Sequence, residues 1–179
     1  MSAEEDLRIE RFNNIPNLGF YIGFDFPTWL IRNGFFTAPA SRRYHGCYEG
    51  GLFDHSICVA DQLVKLTIAN NLQWERDISP YIVGLFHDLC KIDQYKLNHD
   101  ESSYEYNNDT LLKGHGDKSV MMLASHMQLT EEEVMCIRYH MGAFTDKEEW
   151  NDYTNAIHKY PNVLWTHHAD MLASHVEMV

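Results

Sequence analysis

The chain has 179 residues, 45% of them hydrophobic and 13% aromatic, which excludes a disordered polypeptide and supplies enough material for one packed domain. A formal net charge of −12 excludes the broad basic surface by which proteins hold long nucleic acids through counterion release. No apolar run approaches the roughly 20 residues that span a bilayer, and the acidic start Met1-Ser2-Ala3-Glu4-Glu5-Asp6 lacks the pattern of a signal peptide, so a cytoplasmic location is expected.

Residues 1–48 read as an irregular, aromatic-rich lead-in packed on the core, punctuated by Pro16, Gly19, Gly23, Pro27, Gly34 and Pro39. Within it, Trp29-Leu30-Ile31 suits a short helical turn after Pro27. Residues 49–179 read as the main helical domain. Its first long helix is predicted over 51–70, where Leu52, His55, Val59, Leu63 and Leu66 recur at three- and four-residue steps and share one face. A second helix is predicted over 79–91, opened by Ser79 as a capping hydroxyl and Pro80 in the first turn. It is apolar on every side and therefore expected to be buried all round.

Residues 93–112 are polar and tyrosine-rich, with turn signals at Asn98-His99-Asp100 and Asn107-Asn108-Asp109, so they suit a long loop or a small hairpin. A third helix follows Gly114-His115-Gly116-Asp117. Thr130 and Glu133 form a capping box that starts another helix, ending near His140-Met141-Gly142. A further helix is expected within 145–160, terminated by Pro161, and a last one over about 162–178. The expected fold class is all-α. Cys47, Cys58, Cys90 and Cys136 lack C-x-x-C spacing and read as reduced thiols rather than a zinc finger or disulfide framework.

Asp88 is the residue that demands explanation. It lies in Tyr81-Ile82-Val83-Gly84-Leu85-Phe86-His87-Asp88-Leu89-Cys90, where an ionised carboxylate costs several kcal/mol unless a positive charge meets it. Of eleven histidines, His99, His126 and His158 sit in polar or helix-end contexts and read as surface residues. His55, His87, Asp88, His115, His140 and Asp170 remain, on five predicted helices or helix ends, which is how a bundle assembles a metal site. Taken singly, each has an ordinary reading: a hydrogen-bonded core histidine, Asp170 paired with His167, or His115 as a turn residue. Taken together they are nitrogen and carboxylate donors suited to Mn, Fe, Ni, Co, Zn or Mg. Side chains on adjacent helical positions point about 100° apart, so His87 and Asp88 can both approach one centre, and a carboxylate can bridge two ions.

His55, then His87-Asp88, then Asp170 resemble the H…HD…D pattern of the HD superfamily of metal-dependent phosphohydrolases. The likeness runs from about Thr37 to Val179. It is similar in particular to the HD domain of bacterial 3′-to-5′ exoribonucleases that also carry an OB-fold. The matching stretches are Ala38-Pro39-Ala40, His45, Gly51-Leu52, Leu85 through Lys91, Gly114-His115, His140-Met141-Gly142 and Ala169-Asp170.

The resemblance implies an HD-domain bundle in which His55, His87, Asp88 and Asp170 hold one divalent metal ion, and Asp88 bridges to a second held by His115 and His140. It implies that Lys91 faces a substrate phosphate; by itself Lys91 equally suits a solvated charge at a helix end. Arg42, with Arg43 as its substitute, is a further phosphate-binding candidate, and His45 belongs to the same substrate-binding set. Asp88 and Lys91 would be the catalytic pair. Three positions depart from the pattern: Cys90 replaces a glycine, one histidine stands where the exonucleases often have two, and there is no room for an OB-fold.

The expected activity is therefore hydrolysis of a phosphate ester in a nucleotide or short oligonucleotide by a metal-activated water. Rival expectations are a nuclease that grips single-stranded nucleic acid through a partner, and a non-catalytic metal- or nucleotide-binding module.

Overall fold

The inward stripe read from the sequence builds the central helix, α3 (Gly51–Asn70), whose Leu52, His55, Val59 and Leu63 are fully buried. The structure, a computed structural model, describes residues 2–112 and 114–179. Against α3 lies α4 (Ser79–Phe86), apolar all round and buried except at Tyr81. Gly84 permits the close approach: a Cβ there would overlap the Ala60 backbone. That contact brings His55 of α3 beside His87 at the end of α4.

The 79–91 segment is not one helix. Its last regular bond joins His87 N–H to the Val83 carbonyl at 2.9 Å. Asp88 then leaves helical geometry at φ −106° and ψ 19°, and Leu89–Ile92 tighten into a 3₁₀ turn. In a 3₁₀ turn residues three apart eclipse, which stacks Lys91 over Asp88. The Cys90 N–H donates to Ser119 Oγ at 3.0 Å, satisfying backbone that the break leaves free. The Ser79 hydroxyl also departs from expectation. It does not cap the helix but donates to Glu133 Oε1 at 2.8 Å.

The lead-in is more regular than its composition suggested. Ser2 caps α1 (Ala3–Asn13), accepting from Glu5 N–H at 3.1 Å, with Glu4, Glu5 and Asp6 in the first turn and Arg11 in the last, as the helix dipole favours. Only Phe12 of this helix is fully buried; Arg8 and Arg11 tie it to Asp54 and Asp61 of α3. Pro27 lies in the first turn of α2 (Phe26–Arg32), longer than the single turn expected. Phe12, Phe26, Phe35 and Phe36 meet Phe53 and Phe86 in edge-on and tilted pairs, so aromatic side chains of the first 48 residues contribute to the core.

Tyr95–Leu97 (β1) and Tyr104–Tyr106 (β2) form an antiparallel hairpin with Tyr95 opposite Tyr106. Then follow α5 (Gly116–Ala124), α6 (Glu131–Arg138), α7 (Trp150–Lys159) and α8 (Asn162–Leu172), the last running into a wider turn over Ala173–Glu177. Thr130 and Glu133 make both bonds of the predicted capping box. The fully buried Glu133 side chain also receives Arg76 and Ser79, riveting the start of α6 to the start of α4. His126, expected at the surface, is half-buried: its ring stacks on Phe26 at 4.8 Å and lies 4.6 Å from Trp29. The fold is mostly helical with one small hairpin, and none of its described helices is long and apolar enough to cross a membrane.

Candidate metal centre

Each buried histidine spends one ring nitrogen on the backbone. His87 Nδ1 meets the Gly84 carbonyl at 2.8 Å, His140 Nδ1 the Ile137 carbonyl at 2.7 Å, and His55 Nδ1 the Val179 carbonyl at 3.0 Å. A carbonyl can only accept, so Nδ1 carries a proton in all three, and in the neutral ring Nε2 is left with a bare lone pair. These three Nε2 atoms are buried and have no hydrogen-bond partner among the described residues, and neither does Asp88 Oδ1. Acceptors facing acceptors repel one another unless a cation lies between them.

Asp88, 2% exposed, is the hub. Its Oδ2 lies 3.3 Å from His87 Nε2 and 3.8 Å from His55 Nε2; its Oδ1 lies 3.4 Å from His115 Nδ1 and 3.5 Å from His140 Nε2. The two oxygens thus divide the histidines into two pairs. Asp170 Oδ1 completes the first pair at 3.2 Å from His55 Nε2. A tetrahedral shell with bonds of ~2.0–2.3 Å has edges of roughly 3.3–3.8 Å, so these separations fit ligands around an ion. Three overlapping groups of buried or half-buried donors can hold a metal: His55, His87 and Asp170; His87, Asp88 and His140; Asp88, Cys90 and His115.

The second pair depends on the packing of α5 against α6. A Cβ at Gly116 would overlap the Arg138 backbone, so this glycine lets the start of α5 press on the end of α6. His115 and His140 then stand with ring centroids 5.7 Å apart. His167 of α8 donates through Nδ1 to the His140 carbonyl at 2.9 Å, tethering the turn after α6.

Charge supports the arrangement. Burial alone would raise the Asp88 carboxyl, but the Lys91 ammonium at 2.6 Å outweighs it and holds the carboxyl well below the usual range. Lys91 mirrors this: desolvation lowers it, Asp88 raises it more, and the ammonium persists. Burial pushes His115 and His45 down to about 4, so both rings are neutral near pH 7.

The centre opens into a cleft of about 160 Å³ lined by Asp88, Lys91, His115 and Asp170 together with His45, Phe144 and His167. His45 lies 4.9 Å from the His55 ring. The cleft shares His45, Phe144 and Ser174 with a wider groove of about 980 Å³, whose walls include Arg43, Tyr44 and Tyr48. Arg42 points elsewhere, its guanidinium 4.8 Å from the Tyr106 ring. The structure therefore gathers all six candidate ligands, Lys91 and His45; Arg43 lines the outer groove, and Arg42 packs on the hairpin.

Two members of the site were overlooked in the sequence. Cys90 Sγ lies 3.3 Å from His115 Nδ1, though a cysteine two residues past an HD pair was a visible signal. His167, one turn before Asp170, shares its helix face, a spacing that read only as a possible pair. The chain matches no protein-family model, no curated protein and no solved structure.

Proposed function

We propose that this protein is a metal-dependent phosphohydrolase of the HD type, acting in the cytoplasm on a phosphate ester of a nucleotide or short oligonucleotide. One observation carries the reading: bare histidine nitrogens converge on both oxygens of a buried aspartate at the base of a cleft that also holds a buried ammonium. His55, His87, Asp88 and Asp170 would hold one divalent ion, and Asp88, His115 and His140 a second. Such ions, when bound, supply Lewis acidity toward a phosphoryl oxygen and a water acidified toward neutral pH.

The chain's own residues do the rest. Asp88, kept ionised by Lys91, offers one oxygen to each half of the site. Lys91 lines the cleft with a persistent positive charge, and a phosphate dianion entering there meets it. His45, neutral near pH 7, can hydrogen-bond a phosphate oxygen. Arg43 and the exposed rings of Tyr44 and Phe144 give the outer groove a cation and stacking surfaces suited to a nucleotide's distal half.

The test is a panel of mono-, di- and trinucleotides, dinucleotides and single-stranded RNA, each with Mn, Co, Ni, Fe, Zn and Mg. Expected is release of phosphate or nucleotide from a small substrate with at least one transition metal. Faster cleavage of single-stranded RNA would transfer the reading to a nuclease. Metal-loaded protein that binds nucleotides but turns none over would leave only a binding module.

A further inference from the structure

We propose that Cys90 is a thiolate ligand of the second metal subsite, beside Asp88 Oδ1 and His115 Nδ1, and that it makes this subsite prefer a thiophilic ion such as zinc, ferrous iron or cobalt over magnesium or manganese. The inference rests on the two-subsite reading above and changes the chemistry of one half of it.

Three observations point to the thiol. Cys90 is fully buried, and its Sγ lies 3.3 Å from His115 Nδ1, within the edge length of a shell that contains sulfur and nitrogen. Oδ1 of Asp88, a residue 2% exposed, has no hydrogen-bond partner among the described residues and faces the same His115 nitrogen at 3.4 Å. Finally, His115 differs from the other three histidines. They offer Nε2 with Nδ1 tied to a carbonyl, whereas His115 turns Nδ1 inward, the atom that both Cys90 and Asp88 approach. Sulfur, nitrogen and oxygen donors thus surround one point, and the pinned Cys90 N–H holds the residue in place.

A thiolate in the shell has a definite consequence. Soft sulfur favours zinc, iron or cobalt and contributes nothing toward magnesium. Ion binding exchanges the S–H bond for a sulfur–metal bond and releases the proton to solvent. The ordinary reading, a thiol that merely donates to His115 Nδ1, predicts no sulfur–metal bond.

Cobalt(II) separates the two, because sulfur ligation adds a near-ultraviolet charge-transfer band to the visible ligand-field bands that any cobalt site shows. The full-length protein, stripped with chelator, is titrated with cobalt alongside Cys90→Ala, Cys90→Ser and a Cys47→Ala, Cys58→Ala control. Expected is a charge-transfer band in the parent and the control, lost in both Cys90 variants while visible bands from the first subsite persist. His115→Ala should lose the same band, which keeps the inference testable should a Cys90 variant fail to fold. Visible bands without a charge-transfer band in the parent, or a band that survives in Cys90→Ala, overturn the thiolate and leave the metal reading standing. No cobalt bands of either kind overturn both.

Discussion

The Lys91 ammonium stands 2.6 Å from Asp88 Oδ2, and each is buried. The pair exists because the helix breaks at His87 and the following 3₁₀ turn eclipses residues three apart. Asp88 and Lys91 nonetheless serve different ends. Lys91→Ala should leave metal content unchanged and lower kcat/KM by roughly 10²-fold, the scale of removing one positioned donor. Elemental analysis beside steady-state kinetics checks this; loss of metal would make Lys91 part of the metal shell's support instead.

Asp88 faces all four histidines, so its removal should be far more damaging. Asp88→Ala is expected to abolish turnover and reduce bound metal, because both subsites lose an oxygen donor. Near-parental hydrolysis by this variant on any substrate of the panel would sink the mechanism.

The division of histidines between the two carboxylate oxygens predicts a stoichiometry. The His115→Ala, His140→Ala double variant should keep its fold, retain one ion through His55, His87, Asp88 and Asp170, and lose the other, with a steep fall in activity. Metal content at saturating ion and far-ultraviolet circular dichroism read the two halves of this expectation. An unchanged metal count would refute two subsites and leave a single four-ligand site.

Stability of the metal-free protein should depend on pH through His45 and His115. Burial lowers both to about 4, against about 6.5 in an unfolded chain. Between those values the unfolded chain binds protons that the folded one refuses, so their contribution is full above about pH 6.5 and is lost progressively as pH falls toward 4. The urea midpoint in excess chelator should therefore rise from pH 4.5 to 6.5, and rise less in the His45→Asn, His115→Asn variant. A flat parental profile would contradict the burial of these rings.

Glu133 lies away from the chemistry and tests the frame. It is fully buried and serves Arg76, Ser79 and the Thr130 N–H together. Glu133→Ala should cost about 2–3 kcal/mol, because the Ser79 hydroxyl and the Thr130 N–H lose their acceptor while the half-buried Arg76 can turn to solvent. The denaturant midpoint measures it, and metal stoichiometry at low denaturant should stay at the parental value.

Much of the arrangement was legible in the chain. Period and capping marked α3, α6 and the all-round burial of α4, since these follow from local geometry and from where apolar side chains must go. Asp88 in an apolar run announced a cationic partner, because a buried carboxylate cannot stand alone. What the sequence could not determine were relations between elements. α1 was unreadable because its polar residues serve ion pairs to α3, leaving one buried residue to mark an inward face. The break at His87, which aims Asp88, arises where the chain turns to meet Ser119 of α5. Tautomers were equally hidden, since each depends on which carbonyl lies within reach of Nδ1. And Cys90 became a candidate ligand only once Gly116 had let α5 settle against α6, bringing His115 Nδ1 to 3.3 Å from its sulfur. Local propensities are set along the chain; the direction in which a lone pair points is set by the packing around it.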